Sequence, residues 1–434
     1  MLDLTINNDY GKLSTLNTMY WGDFFSKKIK IGSELEFELV SYIYETQCRL
    51  QDALKPTGNY NKYGNGVYDV KGDGSLDNGI EIEVIGRTTD FLSTYSNMKY
   101  ITSLIHDDAS TGYRCGLHQH VLINNDDYSN ELERPVPSII YSNIMAIHRM
   151  FAPALVWLFS NANKGQRDII TRYEYYCKAE MLLKYTPVKE PERFMKQIKE
   201  SNRKYHFINT LHKFSDNMEE IEKFHYEVRQ ADGNLHPSVI TAMAVMNKNI
   251  VLKAIQISEF GILETDSDSF NNVKELYAAI RNRDDVRYGS DRYSSMPSEE
   301  QIGKIQQLCT QFLLFMKDTY NRQDLVGYKI LEELNMEPCS IRNLTQSREQ
   351  IDAYFDNYIK GYYETLFKKD DVVNKLFIDI CLKKTKAISK EQWFYLFSQA
   401  NSLDYYELKQ KISMLEMQGF VRFDLALGTY IGSV

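Results

Sequence analysis

The chain has 434 residues, of which 43% are hydrophobic and 25% are charged, and its formal net charge at pH 7 is −8. This composition excludes extensive disorder, and the length allows a large catalytic domain with one or two smaller ones. The negative net charge argues against broad, non-specific binding of nucleic acid.

The cysteines and the N-terminus predict a cytoplasmic location. The six cysteines are scattered without a Cys-x-x-Cys spacing, which is typical of thiols in a reducing compartment. The first residues lack the basic and apolar stretches of a secretory signal. The most apolar run, residues 150–159, contains Pro153 and is too short to span a bilayer, so we expect a soluble protein.

Alternating polar and apolar residues predict six strands in the first two thirds of the chain. They are expected at residues 29–40, 67–71, 79–86, 116–123, 204–211 and 223–230. Helical patterns occupy residues 40–54, 137–160 and 236–258. Because the connections resemble hairpins rather than regular βαβ repeats, we expect an α+β domain, with an antiparallel sheet and flanking helices.

The last third of the chain has a different composition. Charged residues and glycines around Met296-Pro297-Ser298 indicate a linker or lid at 281–300, and a helical pattern follows over 301–367. Helices predicted at 389–399 and 405–418 precede a small β-hairpin, which together are typical of a winged helix. We therefore predict three parts: a catalytic domain over 1–290, a helical linker region over 291–370 and a winged-helix-like domain over 371–434.

The predicted winged helix favours a protein partner over DNA. Its basic and acidic residues nearly balance, whereas duplex binding is driven largely by a basic excess. Its second helix begins at Tyr405, Tyr406 and Glu407 rather than with the Arg, Lys, Asn or Gln of typical DNA readers. Duplex DNA is the alternative, supported by the lysines between Lys383 and Lys390.

Pairs of polar residues two apart recur within the predicted strands. The pairs are Glu34 and Glu36, Glu81 and Glu83, His118 and His120, and Glu227 and Arg229. Because residues i and i+2 of a strand share a face, each pair projects to one side while apolar neighbours pack on the other. Burying so many carboxylates is very costly unless cations neutralise them. Carboxylate oxygens with a histidine suit Mg²⁺ or Mn²⁺, so the pattern predicts a metal-filled catalytic sheet.

A further acid, Asp73, lies in the glycine-rich connection that leads to the strand with Glu81. The glycines and Asn78 supply the positive φ values that this connection needs. Asp73 and Glu81 can therefore point at one centre. An Asx-turn at Asp73 with exposed glutamates is the structural alternative.

The other motifs also have structural interpretations. Glu34 and Glu36 fit a solvated strand face, and a strand histidine is more often a hydrogen-bonded core residue than a ligand. Glu227 and Arg229 fit an ion pair, or a metal ligand beside a guanidinium that binds phosphate through two parallel hydrogen bonds. The histidines other than His118 and His120 are interpreted as structural. The chain has no Walker, Gly-x-Gly-x-x-Gly or Gly-x-Ser-x-Gly motif.

In this order and spacing the motifs resemble the amidoligase family, which are carboxylate–amine ligases of the glutamine synthetase fold related to glutamate–cysteine ligase. The resemblance covers residues 25–290. It includes an arginine-rich stretch ending at Tyr173 to Cys177. The matching segments are Gly32-Ser33-Glu34-Leu35-Glu36, Asp73-Gly74-Ser75-Leu76 with Gly79-Ile80-Glu81, Gly116-Leu117-His118-Gln119-His120, Tyr205-His206-Phe207-Ile208-Asn209 and Glu227-Val228-Arg229.

The resemblance implies two or three Mg²⁺ or Mn²⁺ ions and a set of residue roles. One metal site would use Glu34, His118 and Glu227, and another Glu36, Asp73 and Glu81. The motif does not choose between Glu81 and Glu83. Arg229 would hold the ATP phosphates with help from Arg203 or Lys204, and His120 would face the acyl substrate.

The resemblance therefore implies an ATP-dependent ligase that joins the carboxylate of an amino acid or peptide to an amine through an acyl phosphate. A non-catalytic binding or structural protein that works through its winged helix is the alternative from another class. A metal-dependent hydrolase is a third, which would need an activated water but not the Glu227 and Arg229 pair.

Overall fold

The computed structural model describes residues 2–39, 43–54, 68–74, 76, 78–84, 90–105, 109–112, 115–123, 134–161, 207–281, 298–321, 324–366, 421–424 and 429–432. The strands are β1 (Leu4–Asn7), β2 (Ile29–Leu39), β3 (Tyr68–Asp73), β4 (Gly79–Val84), β5 (Ala109–Ser110), β6 (Gly116–Ile123), β7 (Val136–Pro137), β8 (Ile208–Thr210), β9 (Lys213–Phe214), β10 (Glu220–Lys223), β11 (His225–Asp232), β12 (Ile262–Thr265), β13 (Val421–Asp424) and β14 (Thr429–Gly432). The α-helices are α1 (Thr15–Lys28), α2 (Ile43–Leu54), α3 (Phe91–Leu104), α4 (Ser138–Met150), α5 (Ala152–Leu158), α6 (Pro237–Ser258), α7 (Ser267–Arg281), α8 (Glu299–Met316), α9 (Leu325–Met336), α10 (Cys339–Arg342) and α11 (Arg348–Leu366).

A seven-stranded sheet forms the centre of the described structure. Its strand order is β3-β4-β2-β6-β11-β8, and β5 pairs with β2 outside this path. Every pairing in the sheet is antiparallel. The predicted α+β class with an antiparallel sheet is therefore confirmed.

Most predicted elements appear close to their expected bounds, and one helix differs. The helix expected over 137–160 is two helices, α4 and α5, bent by 69° with respect to each other. Pro153 has no N–H to donate, and its ring clashes with the carbonyl four residues earlier, so the helix cannot continue straight through it. At the β3–β4 connection, Asn78 has the expected positive φ of 67°, but Gly72, Gly74 and Gly79 do not have a positive φ, so that part of the prediction is wrong.

The apolar face of the sheet packs on helix α6. Leu35, Ile82 and Leu117 of this face are buried. The side chain of Gln119 donates to the carbonyl of Ile240 at 3.1 Å and accepts from Asn247 Nδ2 at 2.8 Å, which ties β6 to α6. Helix α6 thus packs against β2 and β6 on this face.

Helix α6 is long and apolar enough to cross a membrane, and the bent pair α4 and α5 meets the same criteria if it is counted as one span. The most apolar 18-residue stretch of α6 is 89% buried inside the protein. This is weak evidence for a span, because the core helix of a globular protein has the same length and composition.

Helices α8 to α11 join the same hydrophobic core as the sheet. Ile305, Phe312, Leu331 and Phe355 belong to one buried cluster with the residues that line the sheet. Leu2 at the N-terminus exchanges two backbone hydrogen bonds with the side chain of Gln311, at 2.9 and 2.8 Å. The domain boundary predicted near residue 290 thus separates two stretches of sequence that share a core.

Only the hairpin of the predicted winged helix lies within the described residues. β13 and β14 pair antiparallel, with Val421 opposite Gly432. The helices predicted at 389–399 and 405–418 and residues 282–297 of the predicted linker lie outside the described ranges. The winged helix and the linker therefore stay predictions.

A buried ion pair between Lys248 of α6 and Asp324, 2.7 Å long, makes the junction of α6 with α9 sensitive to mutation. Lys248→Met should lower the free energy of unfolding by about 3–5 kcal/mol, because it leaves the buried carboxylate of Asp324 without its charge partner. Urea denaturation measures this change. Lys27→Met, which breaks an exposed pair with Asp23, is the matched control and should cost less than about 1 kcal/mol. Equal effects of the two variants would contradict the burial argument.

Candidate metal centre

Strand register places acidic and histidine side chains side by side on the second face of the sheet. Glu34 of β2 lies opposite Glu83 of β4 on one side and opposite His118 of β6 on the other. Glu36 lies opposite Glu81. Because directly opposed residues of antiparallel strands share a face, all five side chains project to the same side.

The edge strand β3 adds a cation and an acid to this face. Lys71 lies opposite Glu81, and Asp73 lies opposite Gly79 at the end of the strand. Gly79 has no side chain, and a Cβ there would come within 2.2 Å of Leu76 Cβ. Glycine is therefore required for the close approach that closes this end of the hairpin.

Strand β11 brings Glu227 to the other end of the site. Glu227 lies opposite His120 of β6 and opposite Asn209 of β8, whose Nδ2 donates to Glu227 Oε2 at 2.9 Å. A bulge follows between Val228 and Ala231. Bulges re-aim the side chains of a strand, and here Arg229 Nη1 hydrogen-bonds Glu227 Oε1.

These side chains form groups that could each hold a metal ion. The ligand atoms of Glu34, His118 and Glu227 all lie within 4.8 Å of one another, and so do those of Glu36, Asp73 and Glu81. A third group with the same spacing consists of Glu34, Glu81 and Glu83. The side chains of His118, Glu227 and Glu36 are buried, at 2%, 5% and 6% exposure, whereas those of Glu34, Asp73 and Glu83 are partly exposed.

Histidines neutralise the acids at the Glu227 end. His118 Nδ1 lies 2.8 Å from Glu34 Oε2, and His120 Nε2 lies 2.9 Å from Glu34 Oε1. Burial raises the pKa of Glu34, but these two hydrogen bonds outweigh it and lower the pKa far below its usual value. Burial likewise raises the pKa of Glu227, and the positive charges of His118 and Arg229 lower it overall.

The acid at the other end behaves in the opposite way. Burial, together with the negative charge of Glu34, raises the pKa of Glu81 to about 8, even though Lys71 pairs with it. Without a bound cation, Glu81 therefore keeps its proton at pH 7. Burial is the largest cause of this rise, and the negative charges of Glu34 and Glu36 add to it.

The donor set fits hard divalent cations. Six carboxylates share this face with Lys71 and Arg229, and they are Glu34, Glu36, Asp73, Glu81, Glu83 and Glu227. Mg²⁺ and Mn²⁺ prefer oxygen ligands, and Mn²⁺ also accepts an imidazole nitrogen. A cation here would replace the proton on Glu81 and offset the repulsion among its neighbours.

The six ligands predicted from the sequence are brought together by the structure, with His120 and Arg229 beside them. Arg203 and Lys204, and the segment from Tyr173 to Cys177, lie outside the described residues. The ion pair predicted as the structural alternative for Glu227 and Arg229 is present, and Glu227 at the same time belongs to a ligand group.

Two residues of the site were not predicted. Lys71 Nζ lies 2.8 Å from Glu81 Oε1, and His225 Nε2 lies 2.9 Å from His120 Nδ1. Burial and the positive charge of His120 lower the pKa of His225 to about 4, so it stays neutral. Both follow the period-two rule, since Lys71 comes two residues before Asp73 and His225 two before Glu227. That signal would have found them.

Comparisons with known proteins give distant structural likenesses. No protein-family model matches the chain. No curated protein matches its sequence. A bifunctional glutathione synthetase from Pasteurella multocida is similar over 86% of this chain and 58% of its own, at 10% identity and a TM-score of 0.44. The ligase PafA, in its complex with the prokaryotic ubiquitin-like protein Pup, is similar over 93% of this chain and 86% of its own, at 10% identity and a TM-score of 0.37. The chain thus spans less than two thirds of the glutathione synthetase.

Metal binding should be linked to proton release from Glu81. Because its pKa of about 8 lies above pH 7, a cation must displace the proton, and Mn²⁺ affinity should rise as pH increases from 6.5 to about 8. Calorimetry at pH 7 in buffers of different ionisation enthalpy should show that Glu81→Gln releases about one proton fewer than the wild type. Glu83→Gln is the matched control, since Glu83 lies outside the Glu36, Asp73 and Glu81 group. Identical proton release by all three proteins would contradict the assignment.

The same raised pKa gives the metal-free protein a pH-dependent stability. The folded pKa of Glu81 lies above the value of 4.5 expected in an unfolded chain, so its favourable contribution is complete below about pH 4.5. That contribution is lost as pH rises towards 8.

Proposed function

We propose that this chain is an ATP-dependent carboxylate–amine ligase with a glutamine synthetase-like catalytic sheet. The observation that carries the proposal is the single sheet face on which two groups of buried and partly buried metal-ligand side chains lie beside a buried arginine. The order and spacing of these residues, which resemble the amidoligase family, support it further. The carboxylate substrate would be an amino acid or peptide.

Amide formation from a carboxylate needs activation, because a carboxylate is a poor electrophile. In the proposed reaction a carboxylate oxygen attacks the γ-phosphorus of ATP, the bond to the β–γ bridging oxygen breaks and ADP leaves. The amine then attacks the carbonyl carbon of the acyl phosphate, phosphate leaves and the amine loses a proton. Neither step needs a covalent protein nucleophile.

The residues of the site would divide this work between them. Glu34, His118 and Glu227 would hold one divalent ion, and Glu36, Asp73 and Glu81 another. When bound, these ions supply positive charge that reduces the repulsion between the anionic phosphates and the acids of the site.

Arg229 would bind the ATP phosphates. Its backbone N–H donates to the carbonyl of Phe207 at 2.9 Å, its side chain is 11% exposed, and its guanidinium is held by Glu227. A guanidinium fixed in this way is oriented in advance for two parallel hydrogen bonds to phosphate oxygens. Arg203 or Lys204 would assist it.

His120 would face the acyl substrate. Its ring nitrogens lie 2.9 Å from Glu34 Oε1 and 2.9 Å from His225 Nε2, so its orientation is set from both sides. Burial lowers its pKa, but the hydrogen bond and charge of Glu34 raise it overall. A positively charged His120 would attract a carboxylate substrate.

The winged-helix-like module would contact protein.

Divalent metal should stabilise the folded protein. The clustered acids repel one another without a cation, so Mg²⁺ or Mn²⁺ should raise the melting temperature, and ATP should raise it further. A ligand that binds only the native state adds about 2.7 kcal/mol at one hundred times its dissociation constant. Thermal denaturation with each metal, alone and with ATP, tests this. No shift under any of these conditions would refute the metal centre.

Catalysis should depend on the shape of Arg229 as well as its charge. Arg229→Lys should reduce turnover by about 100-fold or more while the protein stays folded, because lysine cannot make two parallel hydrogen bonds to a phosphate. Glu227→Gln should behave similarly. The measurement is ADP release with a panel of amino acids and peptides as substrates.

Arg134→Lys provides the matched control, because Arg134 lies over the ring of Tyr20 in an exposed part of the chain. It should keep wild-type turnover. Near wild-type ligation by Arg229→Lys would leave only the ion pair as a role for this residue. No ADP release by the wild type with any substrate would favour the non-catalytic binding protein.

A further inference from the structure

The three ligand groups of the site are not equivalent. The third group, Glu34, Glu81 and Glu83, shares a residue with each of the other two. It shares Glu34 with the group that contains His118, and Glu81 with the group that contains Asp73. Glu83 belongs to the third group alone. If each group held one ion, the face would bind three ions. Whether the third ion can bind depends on whether another cation already contacts the third group.

The third group already contains a cation from the chain itself. Lys71 lies opposite Glu81 in the β3–β4 register, and Glu83 lies two residues further along the same face. The ammonium nitrogen of Lys71 is 2.8 Å from Glu81 Oε1 and also donates a hydrogen bond to Glu83 Oε1. Lys71 therefore contacts two of the three acids in this group.

An ammonium group and a divalent ion cannot share this position. The ammonium is a compact charge with three N–H donors, so it can bind two carboxylates at once, as a metal ion does. A divalent ion coordinated by the same oxygens would lie within a few ångströms of it and be repelled strongly. Glu81 keeps a second carboxylate oxygen, which is available to an ion held with Glu36 and Asp73.

We propose that Lys71 takes the place of a third metal ion, so that the centre binds two divalent cations and Glu83 serves as the partner of the lysine. This inference rests on the metal centre of the proposed function. It also separates Glu81 from Glu83, which the sequence motif does not do. Glu81 is a metal ligand, and Glu83 positions Lys71.

Counting bound Mn²⁺ tests the proposal without an activity assay. Equilibrium dialysis at millimolar free Mn²⁺, with electron paramagnetic resonance to quantify the free ion, should give two ions for the wild type and three for Lys71→Met. Lys71→Arg keeps the positive charge and should bind two. Lys27→Met, which frees the exposed carboxylate of Asp23, should leave the count unchanged and shows that one more free acid is not enough.

Glu83→Gln gives an independent check of the same assignment. Alone it should leave the count at two, because Glu83 is not a ligand while Lys71 is present. Combined with Lys71→Met it should remove the extra ion, because the third group then lacks one of its carboxylates. Circular dichroism of each variant confirms that it is folded before its count is compared.

The outcomes separate this proposal from the metal centre itself. Three ions in the wild type, or equal counts in the wild type and Lys71→Met, would overturn the role of Lys71 and leave the metal centre standing. No Mn²⁺ bound to the wild type would refute both.

Discussion

Repulsion among carboxylates on one face of an antiparallel sheet is the constraint on which the rest of this structure depends. The register of β2 and β4 places acids next to one another, because Glu34 lies opposite Glu83 and Glu36 lies opposite Glu81 on paired strands. A face of this kind is compatible with folding only if positive groups lie within contact distance. The chain supplies them from the neighbouring strands, with histidines on β6 and a lysine on β3.

The opposite face of the sheet provides the stability that this arrangement requires. Leu35, Phe37 and Ile82 are buried against helices, and each fully buried side chain of this type contributes about 1.5–3 kcal/mol. Along β2 and β4, acids alternate with residues whose side chains point to the opposite face. The position of the acids is therefore tied to the position of the core residues. A slip of register by one residue would put the acids into the core, so the core fixes the position of the site.

The charges of the site are graded from one end to the other. At the Glu227 end, histidines and Arg229 surround the acids and keep Glu34 and Glu227 ionised. At the Glu81 end, acids outnumber the positive groups in contact with them, and the carboxyl of Glu81 retains its proton. An incoming cation would therefore meet ionised carboxylates at one end, where His118 must be neutral to bind it, and would displace a proton from Glu81 at the other. The lysine beside Glu81 limits how much positive charge that end accepts.

The sequence by itself determined the α+β class, most strand positions and the face to which each polar pair points. These features are local, because a period of two depends only on neighbouring residues. Only the tertiary structure decided which strands pair and in which register. Spacing places Lys71 on the face of Asp73 and His225 on the face of Glu227, but only strand pairing brought Lys71 onto Glu81 and His225 onto His120. The shared core of α8 to α11 was decided in the same way, because burial depends on what each helix packs against.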